Sequence, residues 1–348
     1  MPNPLHFGVC VGINRYPEFR DLKFARRDAE AFHDWLISPG GGGLPSGNAK
    51  LVVVDDADMP EGTLREDGVP SQSQILDEIK KWIDTIEAHL SLNIGDWEKT
   101  RLYVFVSGHG IAPTGNSVAL LAADSSPSVP GNHLDSGRLR DFFQETQSFR
   151  EVVVFADCCR ERVSGIDAAF LPWLKSGKNR GEVSYLVGCG AEYGGLAFEP
   201  SGEPELNRGH FTGALLQALK GAALASGETA ITGYNLKRFL EKRVKEIASD
   251  NGVNQKAYID GGGGEIVFTN EETAATEFEI TIRFPAAYSG EAFLLDGSFN
   301  EVDRKNVTEP SWTVSLKKGL YLVSDENETK FANGGQFMVV GEKKEIHV

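Results

Sequence analysis

"VVVFADCCR", residues 152–160, is a run of β-formers that ends on an acid, two adjacent thiols and an arginine. Because it lacks polar alternation, it reads as a strand covered on both faces, as in a parallel sheet packed between helices. "RLYVFVSGHG" (101–110) has the same form, an apolar strand followed by Ser-Gly-His-Gly. "HFGVCVGIN" (6–14), "KLVVVDD" (50–56) and "VSYLVGCG" (183–190) are further runs of this kind. Segments with helical spacing stand between and after them: "DAEAFHDWLIS" (28–38), "SQILDEIKKWIDTIEAHL" (73–90), "GRLRDFFQETQ" (137–147), "FTGALLQALKGA" (211–222) and "NLKRFLEKRVKEIAS" (235–249). Strand and helix alternating in this way predict an α/β fold, a three-layer sandwich around a mostly parallel sheet.

After about residue 270 the texture changes. "EFEITIRF", "EAFLLDG", "WTVSLKKGLYLVSD", "GGQFMVV" and "EKKEIHV" read as strands and turns without a helix, and the glycine run 261–264 directly precedes one more strand candidate, "EIVFTN". The expected organisation is an α/β domain over 1–270 and a small all-β, sandwich-like accessory domain over 271–348. "PGGGG" (39–43) reads as a flexible loop.

The 348 residues are 41% hydrophobic and 24% charged, a globular composition with enough apolar material for a sizeable core. A formal charge of -15 argues against nucleic acid as a partner, since a phosphate backbone is held by basic clusters. An acidic surface tolerates a basic substrate. Four cysteines in these positions make no disulfide framework, and free thiols fit a reducing, cytoplasmic setting. "MPNPLHFGVC" lacks a secretion signal and no apolar run reaches the ~18 residues of a membrane span, so neither export nor a membrane is expected. The acceptor patterns at Asn306 and Asn327 therefore carry no glycan in this reading.

In open parallel sheets, ligands bind beyond the carboxyl ends of the strands. His109 and Cys159 each sit just past such an end, and neighbouring strands would bring them within ~5 Å. A thiol needs an imidazole to take its proton, and the leaving amine needs an acid; one histidine serves both. Gly108 and Gly110 allow close backbone approach, and the N–H groups of Gly110 and Cys159 could hold an oxyanion. No Cys-x-x-Cys spacing indicates a zinc site, so neither metal nor cofactor is expected. The first strand–helix turn lacks Gly-x-Gly-x-x-Gly, and no Gly-Lys-Ser/Thr loop occurs, which argues against a nucleotide-binding protein.

These residues resemble the caspase–metacaspase clan of cysteine proteases. Caspases carry their histidine about fifty residues before the cysteine, as His109 precedes Cys159. Ser107 to Gly110 and Asp157-Cys158-Cys159 are similar to the Ser-Gly-His-Gly and Asp-x-Cys of metacaspases and bacterial caspase-like proteases. "GINRYPEFRDLKFARRDA" (12–29), "YLVGCGAEYGGLAFE" (185–199) and "GHFTGALLQAL" (209–219) resemble further family segments, so the likeness covers about 6 to 269. It implies a caspase-like sandwich, His109 and Cys159 as the catalytic pair, and Asp28, Ser107 and Asp157 lining the pocket for the substrate residue before the cut. Two acids and a hydroxyl imply Arg or Lys there, not the Asp taken by animal caspases. The family also implies an activating protein partner, a role in bacterial stress, cell death or defence, and cleavage within 170–184, which carries Lys175, Lys178 and Arg180. Two departures stand out. Arg160, Glu161 and Arg162 replace the usual His-Ser-Gly after the cysteine, and Asp124 alone represents an acidic cluster, so calcium activation is not expected.

The residues leave alternatives open. Cys158 could be the nucleophile, and Cys159 or His109 a core residue. Asp28 could serve only the dipole of a helix start, and Asp157 only a turn. Arg160 or Arg162 could turn inward and neutralise the pocket. A silent caspase-fold binding module is the rival to an enzyme.

Overall fold

Six strands form the central sheet: β1 (His6–Gly12), β2 (Ala49–Val53), β3 (Arg101–Ser107), β7 (Glu151–Asp157), β9 (Ser184–Cys189) and β10 (Tyr258–Gly261). Short strands β4 (Gly110–Ala112), β5 (Ala119–Leu121), β6 (His133–Asp135) and β8 (Glu161–Arg162) make a second small sheet. These come from a computed structural model, which describes residues 3–54, 56–128, 130–163, 170–199, 208–224, 230–261, 266–268, 277–297, 299–317, 319–325, 331, 335–339 and 344–348. The expected boundary at 270/271, the acceptor at Asn327 and most of the glycine run lie outside the described residues.

The central order is β10-β9-β7-β3-β1-β2, parallel throughout except for β10, which runs antiparallel to β9. The fold class is the α/β sandwich expected from the alternation. Strand β3 shows why its run has no polar positions. Leu102, Val104 and Val106 face a core shared with Ile75, Ile79, Ile83 and Ile86 of helix α2 (Gln72–Leu90) and Phe142 and Phe143 of α3 (Ser136–Thr146). Tyr103 and Phe105 point the other way, toward α1 (Ala25–Ile37), where Phe32 stacks on Phe105 at 4.7 Å and meets Phe155 edge-on at 5.7 Å. Each such side chain contributes about 2–3 kcal/mol by burial.

Caps set the helix starts. Ser71 and Gln74 form a reciprocal capping box on α2, and the Asp135 carboxylate accepts the Arg138 N–H at 2.8 Å on α3. The glycines at 39–43 close onto the last turn of α1, with Gly42 N–H donating to Trp35 O at 2.9 Å and Leu44 N–H to Leu36 O at 2.9 Å.

The chain divides into two compact units, Met1–Gly213 with Glu241–Gly263, and Ala214–Leu240 with Gly264–Val348. Helices α4 (His210–Gln217) and α5 (Gly233–Asp250) run through the division points. The second unit holds β11 (Glu277–Arg283), β12 (Gly290–Asp296), β13 (Glu301–Val307), β14 (Ser311–Lys317), β15 (Gly319–Asp325), β16 (Gln336–Val339) and β17 (Lys344–His347). They form sheets β14-β11-β17 and β13-β12-β15-β16 over a core that includes Ile280, Ile282, Leu294, Trp312, Val323 and Phe337. Of "EIVFTN", the described residues 266–268 belong to no named strand, and Val267 forms an isolated bridge to Thr232. Among the described residues, no helix is long and apolar enough to cross a membrane.

Candidate active site

All the sequence-derived site residues lie at the carboxyl ends of strands in the first unit, apart from Asp28 on α1. Strand pairing sets backbone positions 109 and 159 level with one another. Ser107 pairs with Asp157 where β3 meets β7, and Ile111 pairs with Glu161 where β4 meets β8. The register is the same before and after, so the turn between brings positions 109 and 159 opposite one another. Gly110 packs on that turn; a Cβ there would lie 2.7 Å from the Cβ of Cys158 and 2.6 Å from the Cys159 carbonyl oxygen.

The two thiols differ. Cys158 is buried in the core, 1% exposed, and the Cys189 hydrogen bond together with burial pushes its pKa up. Cys159 is half-buried, with its thiol pushed up to about 11 chiefly by desolvation. Its Sγ receives the Ala197 N–H at 3.3 Å and faces the Ala197 carbonyl oxygen at 3.7 Å. Cys10 and Cys189 are buried core thiols.

His109 is half-buried against Tyr16 and Phe19, with ring centroids at 4.8 and 5.5 Å. Its backbone N–H donates to the Tyr16 hydroxyl at 3.0 Å, and that hydroxyl donates to Leu121 O at 3.1 Å. Nε2 lies 2.6 Å from the carbonyl oxygen of Arg20. A carbonyl only accepts, so Nε2 carries the hydrogen and Nδ1 is left with a lone pair for a proton. Sequence alone does not reveal this orienting group, because a backbone carbonyl has no side-chain signature.

Asp28, Ser107 and Asp157 converge although they come from three elements. Asp28 is 1% exposed, and its Oδ2 accepts the Ser107 hydroxyl at 3.2 Å. Both its oxygens lie near the Gly209 N–H, at 3.2 and 3.3 Å. Asp157 Oδ2 accepts the N–H and the hydroxyl of Thr212 at 2.9 and 2.7 Å. Burial raises both carboxyls. Asp157 is pushed up to about 6, and Asp28 well above the usual range, with the Asp157 charge adding to desolvation. Among the described residues, no Lys or Arg pairs with either.

Glu199 is the further acid that the sequence reading quoted without singling out. It accepts the Phe24 N–H at 2.8 Å and the Lys23 N–H at 3.1 Å, and its charge acts on both Asp28 and Asp157. The two arginines after the cysteine go elsewhere. Arg160 is fully buried, donates to Ser117 O and Gly115 O at 3.2 and 2.9 Å, and lies 4.0 Å over the Tyr258 ring. Arg162 lies over Tyr193 at 4.4 Å. Asp124 is taken up by the Gln72 N–H and the Asn132 side-chain amide, at 3.1 and 2.9 Å.

No family model matches the chain. A probable protease of a Desulfuromonadales bacterium is 27% identical over 266 residues, 69% of this chain; the chain spans only 29% of that relative's length. Similar solved structures include caspase-1 from Spodoptera frugiperda, at 15% identity and a TM-score of 0.43 over 74% of this chain and 87% of that one. A Geobacter sulfurreducens protein is 14% identical, with a TM-score of 0.40 over 75% of this chain and 94% of that one. The chain is similar to caspases and to a bacterial protease.

Proposed function

We propose that the chain is a cysteine endopeptidase that cuts after Arg or Lys, with Cys159 as nucleophile and His109 as acid and base. The observation that carries the reading is the pair of buried acids, Asp28 and Asp157, with no Lys or Arg paired to them among the described residues, at the same sheet end as the opposed positions 109 and 159. Burying carboxylates is costly unless they are paired, and a guanidinium or ammonium from outside supplies the pairing. The likeness to a bacterial protease supports the same class of reaction.

With the thiol pushed up to about 11, Cys159 rests as a neutral S–H rather than as a preformed thiolate. In the proposed step, Nδ1 of His109 takes the Sγ proton as sulfur attacks the carbonyl carbon. The Gly110 and Cys159 N–H groups would hold the resulting oxyanion. Collapse breaks the C–N bond, His109 passes its proton to the departing amine, and a thioester remains. Water, deprotonated by His109, then attacks the thioester and returns the thiol and a carboxylate product. Protein or peptide substrates, a cytoplasmic setting, an activating protein and a role in bacterial stress, cell death or defence belong to the same proposal. In it, 271–348 is an accessory β domain outside the chemistry.

Internally quenched peptides that differ only in Arg, Lys, Asp or Leu before the scissile bond test it. Arg and Lys peptides should be cleaved more than ~10³-fold faster than the Asp peptide, because an acid would sit unpaired among like charges. Arg should lead Lys, since its planar fork can reach both carboxylates. Faster cleavage after Asp or Leu would overturn the pocket, and no cleavage that depends on Cys159 would favour the silent binding module.

A further inference from the structure

Helix α1 has no side-chain cap of its own; Phe24 at its start is followed by Ala25 and Arg26. The segment after β9 supplies the missing acceptor from 175 residues away in sequence, through both oxygens of Glu199 on the Lys23 and Phe24 amides. Asp28 stands one turn along the same helix, its N–H bonded to Phe24 O at 2.9 Å. Phe24 therefore bonds to both residues, its N–H to the Glu199 carboxylate and its carbonyl oxygen to the Asp28 N–H.

The same segment lies along the nucleophile turn. Arg160 N–H donates to Gly195 O at 3.0 Å, Gly194 N–H to Arg160 O at 2.8 Å, and Ala197 touches Cys159 Sγ. Glu199 is thus the fixed far end of a strap that starts at the nucleophile, and its end sits at the start of the helix that carries Asp28. The helix amides are stabilised by one negative charge, yet that charge also adds to a place that already holds two buried carboxyls. Its charge acts on Asp28 and Asp157 in the same sense as their burial, and an arriving cation offsets it.

We infer that Glu199 is a specificity-determining residue, the third carboxylate of the cation pocket, which adds field for a guanidinium while positioning the segment that carries Ala197. This rests on the reading of Asp28 and Asp157 as the pocket acids. A neutral side chain of the same shape gains nothing from that field, so the role of Glu199 is read in charge discrimination rather than in turnover alone.

The test compares peptides with arginine or its neutral isostere citrulline before the cut, in the full chain and in Glu199→Gln. Glutamine keeps an oxygen for the Phe24 N–H and removes the charge. The variant should lose about tenfold in kcat/KM on the arginine peptide and much less on the citrulline peptide, so that their ratio falls. Agmatine, a guanidinium without a scissile bond, should inhibit the variant about tenfold more weakly; this readout survives even if turnover is lost. Equal loss on both peptides with unchanged agmatine inhibition would make Glu199 a structural latch only and overturn the inference. An unmutated enzyme that does not distinguish arginine from citrulline would instead overturn the acid-pair reading, and the inference with it.

Discussion

Asp28 on α1 and Asp157 at the end of β7 both abut Gly209. A Cβ at Gly209 would lie 2.9 Å from Asp28 Oδ2 and 2.8 Å from Asp157 Cγ. No side chain fits there without moving one carboxyl or the other. Gly209→Ala should therefore displace the acids and lower kcat/KM on arginine peptides by ~100-fold, the scale of a misplacement near 1 Å. Overpacking of this kind costs about 1–3 kcal/mol, so a melt should show a folded but weakened protein. Unchanged cleavage of arginine peptides by that variant would remove the pocket from this place.

The strand-end geometry was legible in the sequence because β1, β3, β7 and β9 are buried on both faces, which leaves an unbroken apolar run in each. The runs stopped where chemistry began, at Ser107 and Asp157. Other parts left no such trace. Strand β13, "EVDRKNV", is held by backbone pairing to β12 while its side chains are mostly exposed, so it has no apolar run to read. The Arg20 carbonyl that orients His109 is invisible in any sequence. Glu199 stands in a stretch that resembled the family, but its partners are backbone amides of Lys23 and Phe24, and spacing does not reveal those.

The acid pair should make cation binding depend on pH. Asp157 is raised from the ordinary value near 3.8 to about 6, with Asp28 raised as well; Ser107, Gly209 and Thr212 donate to them, and the Glu199 charge adds to the shift. A guanidinium favours the ionised form, so affinity should weaken as pH falls through about 6. Agmatine inhibition, measured from pH 5 to 8, reads this equilibrium without turnover. A flat profile would mean that Asp157 is already ionised in the empty pocket.

The same shift acts on stability with the opposite sign from a salt-bridged acid. The folded chain holds the Asp157 proton more tightly than the unfolded one, so stability is lost as pH rises from the unfolded value through about 6. Above that window the cost is ~3 kcal/mol by the conversion of pKa to free energy. Asp157→Asn should thus gain stability relative to the unmutated chain at pH 7.5, more than at pH 4, while losing arginine cleavage. Urea melts at both pH values decide it; an equal difference at both would show that ionisation of Asp157 does not burden the fold.

The two adjacent thiols should separate cleanly. Cys159→Ala should abolish cleavage, and His109→Ala should lower turnover by ~10² or more. Cys158→Ala removes only a buried sulfur, with a stability cost of about 1–2 kcal/mol and most activity kept. Iodoacetamide should label Cys159 first in the native protein, since Cys158 is 1% exposed. Equal loss of activity in both cysteine variants would mean that Cys158 shapes the turn as well as the core.

Self-cleavage in the 170–184 segment should fall after Lys178 and not after Arg180. Arg180 is spoken for: its guanidinium donates to both oxygens of Glu87 at 2.7 and 2.8 Å, and its side chain is only 9% exposed. Its backbone N–H bonds the Gln147 side chain, and Gly181 beyond it sits over Trp97. A protease needs an extended, accessible stretch, and Lys178 lies in an exposed run from Leu174 to Asn179. Within that run, Lys175 is drawn to Glu145 at 2.7 Å, which leaves Lys178 as the better presented cation. Intact-mass analysis of active enzyme should give fragments that end at Lys178, and Lys178→Gln should prevent them. Cleavage after Arg180 in the native protein would show that the Glu87 pair opens readily, and a fully active, uncut chain would remove self-cleavage from activation altogether.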